Sequence, residues 1–222
     1  MITLHHLNNS RSQRIIWLLE ELNLDFEIRS YERDLMTYQA PESLKKIHPL
    51  GKAPVLEDAG QVIAESAVII DYLINQYALH LKPSGEYKEQ LSYQYWMHYA
   101  EASLMPFMVM KLVFEKIKTS PMPFFAKPIA KIIVNKANMS FIAPNIATHM
   151  QYIEKHLSER EWFCGNEISG ADFQMIFPLE AAVARNLVNN EEYPNIVRYV
   201  RQVHSRPAYQ AALDVSGDYD YA

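Results

Sequence analysis

Residues 51–73, "GKAPVLEDAGQVIAESAVIIDYL", contain the pattern that decides the fold of the first domain. The segments "GKAPVLED" and "QVIAES" are predicted to be two short strands, because apolar and β-branched residues flank a turn at Asp58–Gly60. The following segment, "ESAVIIDYLINQY", has helical spacing, with Val68, Ile69, Tyr72, Leu73 and Gln76 on adjacent turns. A hairpin that runs into a helix is therefore expected here.

The residues before this stretch predict a second unit on the same sheet. "ITLHHL" is typical of a strand, a helix is predicted from about Ser12 to Leu22, and "FEIRSYE" alternates as a strand. "APESLKKIH" has weak helical character. A strand–helix–strand unit that opens a domain implies a parallel pair with a right-handed crossover, and the later hairpin extends the same sheet.

The segment "HLKPSGEYKEQ" marks a change of composition, after which strand signals largely stop. Helices are predicted over about 87–117, 128–157, 170–186 and 194–205, and the prolines of "TSPMPFFAKP" interrupt them. The acidic tail "VSGDYDYA" is expected to be loosely held. The predicted architecture is an α/β domain (1–79), a linker (80–86) and an all-α domain (87–222).

Composition limits the classes of partner. The chain has 222 residues, 49% hydrophobic residues and a net charge of −5, so neither a nucleic acid nor an anionic membrane is the expected partner. No segment is a candidate membrane span or signal peptide, and one cysteine excludes an internal disulfide. These features together predict a cytoplasmic protein.

Four motifs in a fixed order carry a resemblance to a known family. "HPLGKAPVLED" resembles N-P-x-G-K-V-P-x-L, and "IAESAVIIDYL" resembles E-S-x-A-I-x-x-Y-L. "FCGNEISGADF" resembles G-x-x-x-S-x-A-D, and "YPNIVRYVRQVHSRPAYQAAL" resembles a final helix. These are motifs of the cytosolic glutathione transferase superfamily. "HHLNNSRSQRIIWLLEEL" and "HYAEASLMP" are most similar to a bacterial and fungal branch that lacks the catalytic tyrosine.

The resemblance implies a thioredoxin-like domain followed by a helical bundle. It implies reduced glutathione as co-substrate, no permanently bound cofactor, a small hydrophobic electrophile and a homodimer. The expected reaction is conjugation of the glutathione thiolate to the electrophile. Two alternatives stay open, namely a glutathione-dependent disulfide oxidoreductase or peroxidase, and a non-catalytic binding protein of the same fold.

The segment around Pro54 is the first candidate binding site. Proline inside a strand removes a ladder hydrogen bond, and the residues alone favour a trans Ala53–Pro54 bond. The resemblance implies a cis bond instead. Val55 is then expected at an edge, where its backbone pairs with the tripeptide as an added strand. Lys52 is expected to reach the glycyl carboxylate, although a solvated lysine is the ordinary alternative.

The start of the predicted helix after residue 64 is the second candidate binding site. Glu65 and Ser66 open this helix, where free N–H groups and the helix dipole favour an anion. Ser66 suits the γ-glutamyl carboxylate of glutathione, and Glu65 suits its ammonium group. Ordinary helix capping is the alternative reading of the same residues.

The polar corner "NNSRS" (8–12) is the candidate catalytic site. Matching it to serine-dependent relatives puts Asn9 at the place of the catalytic serine, and a slip of one residue puts Ser10 there. Ser12 is expected to cap the helix beside glutathione, and Arg11 to steer the anion. An uncharged donor suffices, because a charge-assisted hydrogen bond stabilises a thiolate by about 1.5–3 kcal/mol.

The remaining candidates lie in the helical domain. Apolar residues on its long first helix are expected to border the electrophile, with plain core as the alternative: Met105, Phe107, Met108 and Phe114. Glu101 is a candidate to reach the ligand of a partner subunit, and Cys164 is expected to be a buried, unreactive thiol. Ser169 and Asp172 have the spacing of a capping box. No metal site is predicted, because His5 and His6 are too few.

Overall fold

The computed structural model describes residues 1–34, 37, 39–83 and 85–222. The elements of the first domain follow the predicted order strand, helix, strand, helix, strand, strand, helix. They are β1 (Ile2–Leu7), α1 (Gln13–Glu21), β2 (Phe26–Tyr31), α2 (Glu42–Lys45), β3 (Val55–Asp58), β4 (Gln61–Ala64) and α3 (Ser66–Tyr77). The third strand is shorter than predicted and begins after Pro54, which has no N–H to donate to a ladder.

The sheet has four strands in the order β2-β1-β3-β4. β1 and β2 are parallel with Ile2 opposite Phe26, whereas β3 is antiparallel to both β1 and β4. The predicted crossover unit and hairpin are thereby confirmed as one thioredoxin-like sheet. The expectation that Val55 lies at an edge is wrong, because β3 lies inside the sheet and Val55 is opposite both His5 and Ala64.

The second domain is helical, as predicted. After a 3-10 turn at Leu79–Leu81, its helices are α4 (Tyr87–Tyr99), α5 (Met105–Thr119), α6 (Ala126–Ala137), α7 (Ala143–Ser158), α8 (Gly170–Ala184), α9 (Pro194–His204) and α10 (Pro207–Ser216). The long helices predicted over 87–117 and 128–157 each contain a π-helical segment, at Ala100–Leu104 and Asn138–Ile142. Within the predicted linker 80–86, Ser84 lies outside the described residues.

Helix α1 joins the two domains in one core. It packs against α8 and α10, and the ring of Trp17 lies 4.2 Å from that of Phe173 and 5.8 Å from that of Tyr209. The capping box at α8 is confirmed, because the N–H and hydroxyl of Ser169 donate to Asp172 Oδ2 at 2.8 and 2.9 Å. Because α1 packs against α8 and α10, the corner that precedes α1 is held against the helical domain.

The C-terminal tail is anchored, and the expectation that it is loosely held is wrong. The Tyr219 hydroxyl donates to buried Glu180, and Arg185 donates to the Tyr221 hydroxyl at 2.7 Å. The N–H of Asp220 donates to Asn9 Oδ1 at 2.8 Å. These contacts bring the last residues of the chain against its first bend. In the described part of the chain, every helix is too short or too polar to cross a bilayer.

Candidate functional site

A cavity of about 450 Å³ lies where the β1–α1 corner meets residues 48–54 and the start of α3. Six residues predicted from the sequence line it, namely Ser10, Lys52, Ala53, Pro54, Glu65 and Ser66. Arg11, Arg33, His48 and Glu101 complete its charged and titratable wall. The sequence-based candidates are thus gathered around one polar cavity of the size that small-molecule ligands occupy.

A second cavity of about 120 Å³ adjoins the first, since Ser10, Arg11, Arg33 and Val109 line both. Met105, Met108, Leu112, Phe177 and Ala181 supply its apolar wall, with Asn9, Arg185 and Tyr221 at its polar end. Phe107 instead packs on the rings of Phe141 and His149, at 5.9 and 5.3 Å. Phe114 packs against the core and lines neither cavity.

The start of α3 presents unpaired polar groups to the larger cavity. Ser66 is 4% exposed, and its hydroxyl has no hydrogen-bond partner among the described residues. Glu65 has φ 72° and ψ 124°, a left-handed conformation that costs about 1–3 kcal/mol for a residue other than glycine. Such conformations cluster at ligand sites. The helix start therefore combines free N–H groups, a hydroxyl and a carboxylate on one wall.

Ala53 presents open backbone to the same cavity. The Ala53–Pro54 bond is cis, as the resemblance implies. Within the described residues, neither the N–H nor the C=O of Ala53 has a hydrogen-bond partner, whereas Val55 belongs to the β3 ladder on both sides. The backbone available to a ligand is thus that of Ala53, the residue before the proline.

Asn9 adopts a left-handed backbone conformation at the corner between β1 and α1, a position where glycine is common. Its φ of 49° is left-handed, a conformation that asparagine tolerates better than most residues. Its side-chain amide donates to Asp220 Oδ2 at 2.8 Å, and its Oδ1 accepts from the Asp220 N–H at 2.8 Å. Both ends of the amide are therefore engaged by the tail.

Ser10 ends a buried chain of hydrogen bonds. Its Oγ lies 2.7 Å from Ser12 Oγ, which lies 2.8 Å from His6 Nδ1. The His6 ring also hydrogen-bonds the backbone of Ser216, so the neutral ring accepts from Ser12 at Nδ1. Ser12 is fully buried and lines neither cavity, whereas Ser10 lines both. The Ser10 proton is consequently the one in this chain that can be redirected to a ligand.

An arginine–glutamate cluster forms the floor beside Ser10. Glu101, in the first π-helical segment, accepts from Arg11 at 2.8 Å and from fully buried Arg14 at 2.5 Å. Arg14 also donates to the backbone carbonyl of Gln174 at 2.5 Å. Burial opposes ionisation of Glu101, but the two arginines outweigh it and hold the pKa of its carboxyl below the usual range. Glu101, which the sequence offered as a candidate to reach the ligand of a partner subunit, is thus paired with two arginines of its own chain.

His6 is expected to make the fold sensitive to acid. Burial lowers the pKa of His6 from 6.5 to about 4, so protons bind preferentially to the unfolded chain between these values. The contribution of neutral His6 is fully present above pH 6.5 and is lost as the pH falls towards 4, about 3 kcal/mol in all. Urea unfolding of the parent and His6→Gln at pH 7 and pH 4.5 measures it, because glutamine does not titrate. An equal loss of stability in both proteins would contradict the assignment.

The other sequence candidates carry no chemistry at this site. Burial raises the pKa of the Cys164 thiol to about 12, so it is held as a neutral thiol away from both cavities. His5 is buried between Tyr31 and Glu57, with ring nitrogens 2.8 and 2.9 Å from their oxygens. Over the described residues, no group of three or more His, Cys, Asp or Glu side chains is placed to hold a metal ion.

Comparison with known proteins identifies the family. Residues 4–83 match the family model described as "Glutathione S-transferase, N-terminal domain", and residues 142–207 match "Glutathione S-transferase, C-terminal domain". Glutathione S-transferase 3 of Schizosaccharomyces pombe is 40% identical over 215 residues, covering 96% of this chain and 87% of the relative. Glutathione S-transferase 1 of Saccharomyces cerevisiae is 32% identical, covering 96% and 94%.

Solved structures agree with this result. A glutathione S-transferase from Actinobacillus pleuropneumoniae has a TM-score of 0.80 and 37% identity, and the match covers 97% of this chain and 93% of that one. A sphingomonad glutathione S-transferase complexed with glutathione shares the fold, with a TM-score of 0.72 and 22% identity over 97% and 98% of the two chains. The chain belongs to the glutathione S-transferase superfamily and is a glutathione transferase.

Sequence reasoning missed several residues of the two cavities. Arg33, Phe177 and Tyr221 line them, yet no motif marks these positions. No tyrosine occurs in the corner itself, and Tyr221 enters the second cavity only because the tail folds back. A contact between residues about 210 positions apart leaves no local signal in a single sequence.

Proposed function

We propose that this chain binds reduced glutathione in the larger cavity and transfers its thiolate to a small hydrophobic electrophile in the smaller one. The observation that carries the proposal is the junction of the cavities at Ser10. One side of this junction is polar with an anion-binding helix start, and the other has methionine and phenylalanine walls. A bound tripeptide that spans the first cavity would place its sulfur at the entrance to the second.

The polar groups of the larger cavity match the ends of the tripeptide. The N–H groups at the start of α3 and the Ser66 hydroxyl suit the γ-glutamyl carboxylate, and Glu65 suits its ammonium group. Lys52, in the segment 48–54 of the cavity wall, suits the glycyl carboxylate. The free N–H and C=O of Ala53 suit the cysteinyl backbone, in place of Val55.

Ser10 is the proposed thiolate donor. A free thiol has a pKa near 8.5, so only about 3% is ionised at pH 7. One hydrogen bond to the anion supplies about 1.5–3 kcal/mol and lowers that pKa by about one to two units. Ser12 and His6 position Ser10: because Ser12 donates to His6, Ser10 donates to Ser12 in the unliganded site, and this proton turns to the sulfur when the tripeptide binds. Asn9 is the weaker candidate, since Asp220 occupies its amide.

In the conjugation step, the sulfur forms a bond to an electrophilic carbon and the leaving group departs with the bonding electron pair. Arg11 lines both cavities, so its guanidinium lies beside the leaving group as that group takes on negative charge. Met105, Met108 and Phe177 form an apolar wall that adapts to ligands of varied shape. The protein therefore acts by positioning and electrostatic stabilisation.

Ser66→Ala is expected to raise the dissociation constant of glutathione about 10- to 150-fold, because a hydrogen bond to a charged group contributes about 1.5–3 kcal/mol net. Isothermal titration measures the change. Ser43→Ala, at an exposed position on α2 outside both cavities, is the matched control. Equal affinities for the two variants would remove Ser66 from the site, and no glutathione binding by the parent would reject the proposal.

A glutathione-dependent disulfide reductase or peroxidase is the second candidate function. Its chemistry would use the sulfur of glutathione itself, because burial keeps the chain's own Cys164 thiol neutral with a pKa of about 12. The apolar second cavity favours conjugation over this alternative. Turnover with an aryl halide and with a mixed disulfide, measured on one preparation, separates the two reactions.

We further propose a cytoplasmic homodimer. Exposed apolar side chains lie on the β4–α3 surface at Val62 and Val68 and on α4 at Leu91 and Tyr95, and burial of these surfaces between two copies would remove them from water. The reducing cytosol suits both the co-substrate and the free Cys164. Sedimentation equilibrium tests the dimer, with Leu91→Glu expected to weaken it.

A further inference from the structure

The segment from the end of α5 through α6 into α7 (residues 116–153, here called the tip) has a charge distribution unlike that of the whole chain. Between Glu115 and Glu154 the sequence contains five lysines and no aspartate or glutamate, in a chain whose net charge is −5. Lys118 pairs with Glu115 at 3.7 Å. Lys127, Lys131 and Lys136 are exposed and have no ion-pair partner among the described residues. The tip is therefore a local cationic surface on an acidic protein.

The same tip exposes large apolar side chains. Phe124 is 84% exposed and Ile132 is 66% exposed. Ile129, Ile132 and Ile133 have the i, i+3, i+4 spacing that places them on one face of α6, and Val134 is the fully buried side chain of that helix. Exposed phenylalanines precede the helix, and Met139 and Phe141 follow it. An exposed apolar face of this extent marks an interaction site.

Lysines lie both on this apolar face and across the helix from it. Lys136 follows Ile132 and Ile133 at i+4 and i+3 and so lies on the apolar face itself, whereas Lys127 and Lys131, four residues apart, share the far side of α6. An amphipathic helix with basic residues beside an apolar face is typical of segments that lie in the interface of a bilayer. We name the α6 surface as Phe124, Phe125, Ile129, Ile132, Ile133, Lys127, Lys131 and Lys136.

We propose that the α6 surface docks the protein peripherally onto a membrane that carries anionic lipids. Charge complementarity supports this occupant, since each lysine near an anionic surface raises the partition coefficient about fivefold, or about 100-fold for three. The isoleucines and phenylalanines would enter the headgroup and acyl boundary. The expectation of no membrane partner rests on total charge, which averages out this local cationic surface.

A lipid surface fits these residues better than a second copy of the chain. A symmetric contact through the α6 surface would bring the same lysines of two copies together, and like charges oppose such an interface. No residue of the α6 surface lines either cavity, so docking leaves the glutathione site open. The inference is thus independent of the proposed site residues.

Vesicle co-sedimentation of the full-length protein tests the proposal. Binding to phosphatidylcholine vesicles with about 30% phosphatidylserine is expected to exceed binding to pure phosphatidylcholine at least tenfold. It is expected to weaken in about 0.5 M NaCl. The reversal Lys127→Glu/Lys131→Glu/Lys136→Glu should abolish it, and Ile129→Ser/Ile132→Ser/Ile133→Ser should reduce it at least fivefold.

The matched control is Lys46→Glu/Lys88→Glu/Lys155→Glu, which makes the same charge change at exposed lysines outside the tip. This control should bind anionic vesicles much more strongly than the tip reversal does, although both variants have the same net charge. Any loss that it shows relative to the parent measures the effect of net charge alone. Absence of binding, equal binding to neutral and anionic vesicles, or equal losses in the two lysine variants would overturn the proposal. A lysine reversal at the tip that changes the oligomeric mass but not vesicle binding would also overturn it, in favour of a contact between copies. If a variant fails to fold, the lipid and salt dependence of the parent decides.

Discussion

Ser10→Ala is expected to lower kcat/KM for aryl-halide conjugation about 10- to 150-fold and to raise the pKa of bound glutathione by about one to two units. The reason is that Ser10 lines both cavities and carries the hydroxyl proton that can turn from Ser12 to the sulfur of the bound tripeptide. Without that donor, the thiolate loses a charge-assisted hydrogen bond in a partly desolvated site. Thiolate absorbance of the bound tripeptide, titrated against pH, measures the pKa directly.

Asn9→Ala is the matched control for Ser10→Ala. Its amide lies at the same corner but is paired in both directions with Asp220, so the pKa of bound glutathione is expected to change by less than about 0.5 unit, while kcat/KM also reports release of the tail from Asn9. A larger effect on the thiolate spectrum in Asn9→Ala than in Ser10→Ala would assign the donor to Asn9. Unchanged spectra in both variants would reject the two residues together and with them the proposed chemistry at this corner.

Glu101→Ala is expected to destabilise the fold by about 3–5 kcal/mol, because it leaves a buried charge without its partner. Arg14 is fully buried, and its Nε has no hydrogen-bond partner among the described residues even in the intact cluster. Removal of Glu101 would leave the guanidinium with the Gln174 carbonyl as its acceptor. Urea unfolding, followed by circular dichroism, gives the change in the free energy of unfolding.

Two further variants separate the buried pair from an ordinary ion pair. Glu42→Ala removes the partner of exposed Lys45 and should cost less than about 1 kcal/mol. Arg14→Met/Glu101→Met removes both buried charges and should recover much of the loss, since a well-packed apolar pair avoids the desolvation cost. A cost for Glu101→Ala no larger than that for Glu42→Ala would show that solvent reaches the Arg14 guanidinium.

The sequence by itself determined the class of fold and the order of elements in the first domain. Apolar residues at periods of two and 3.6 mark strands and helices locally, as in "QVIAES" and "SAVIIDYLINQY". The cap at Ser169 and Asp172 was predictable for the same reason, because both partners lie within one turn. Two of the four motifs placed Lys52, Ala53, Pro54, Glu65 and Ser66 at the larger cavity in advance, and the polar corner 8–12 added Ser10.

Only the tertiary structure decided which groups face the cavities. Strand order put Val55 inside the sheet and left the backbone of Ala53 open, and strand order depends on long-range pairing. The folded-back tail engaged Asn9 and carried Tyr221 into the second cavity, while Arg14 and Glu101 met from different domains. These contacts join positions about 90 to 210 residues apart, and the burial that gives them their energy exists only once both domains are assembled.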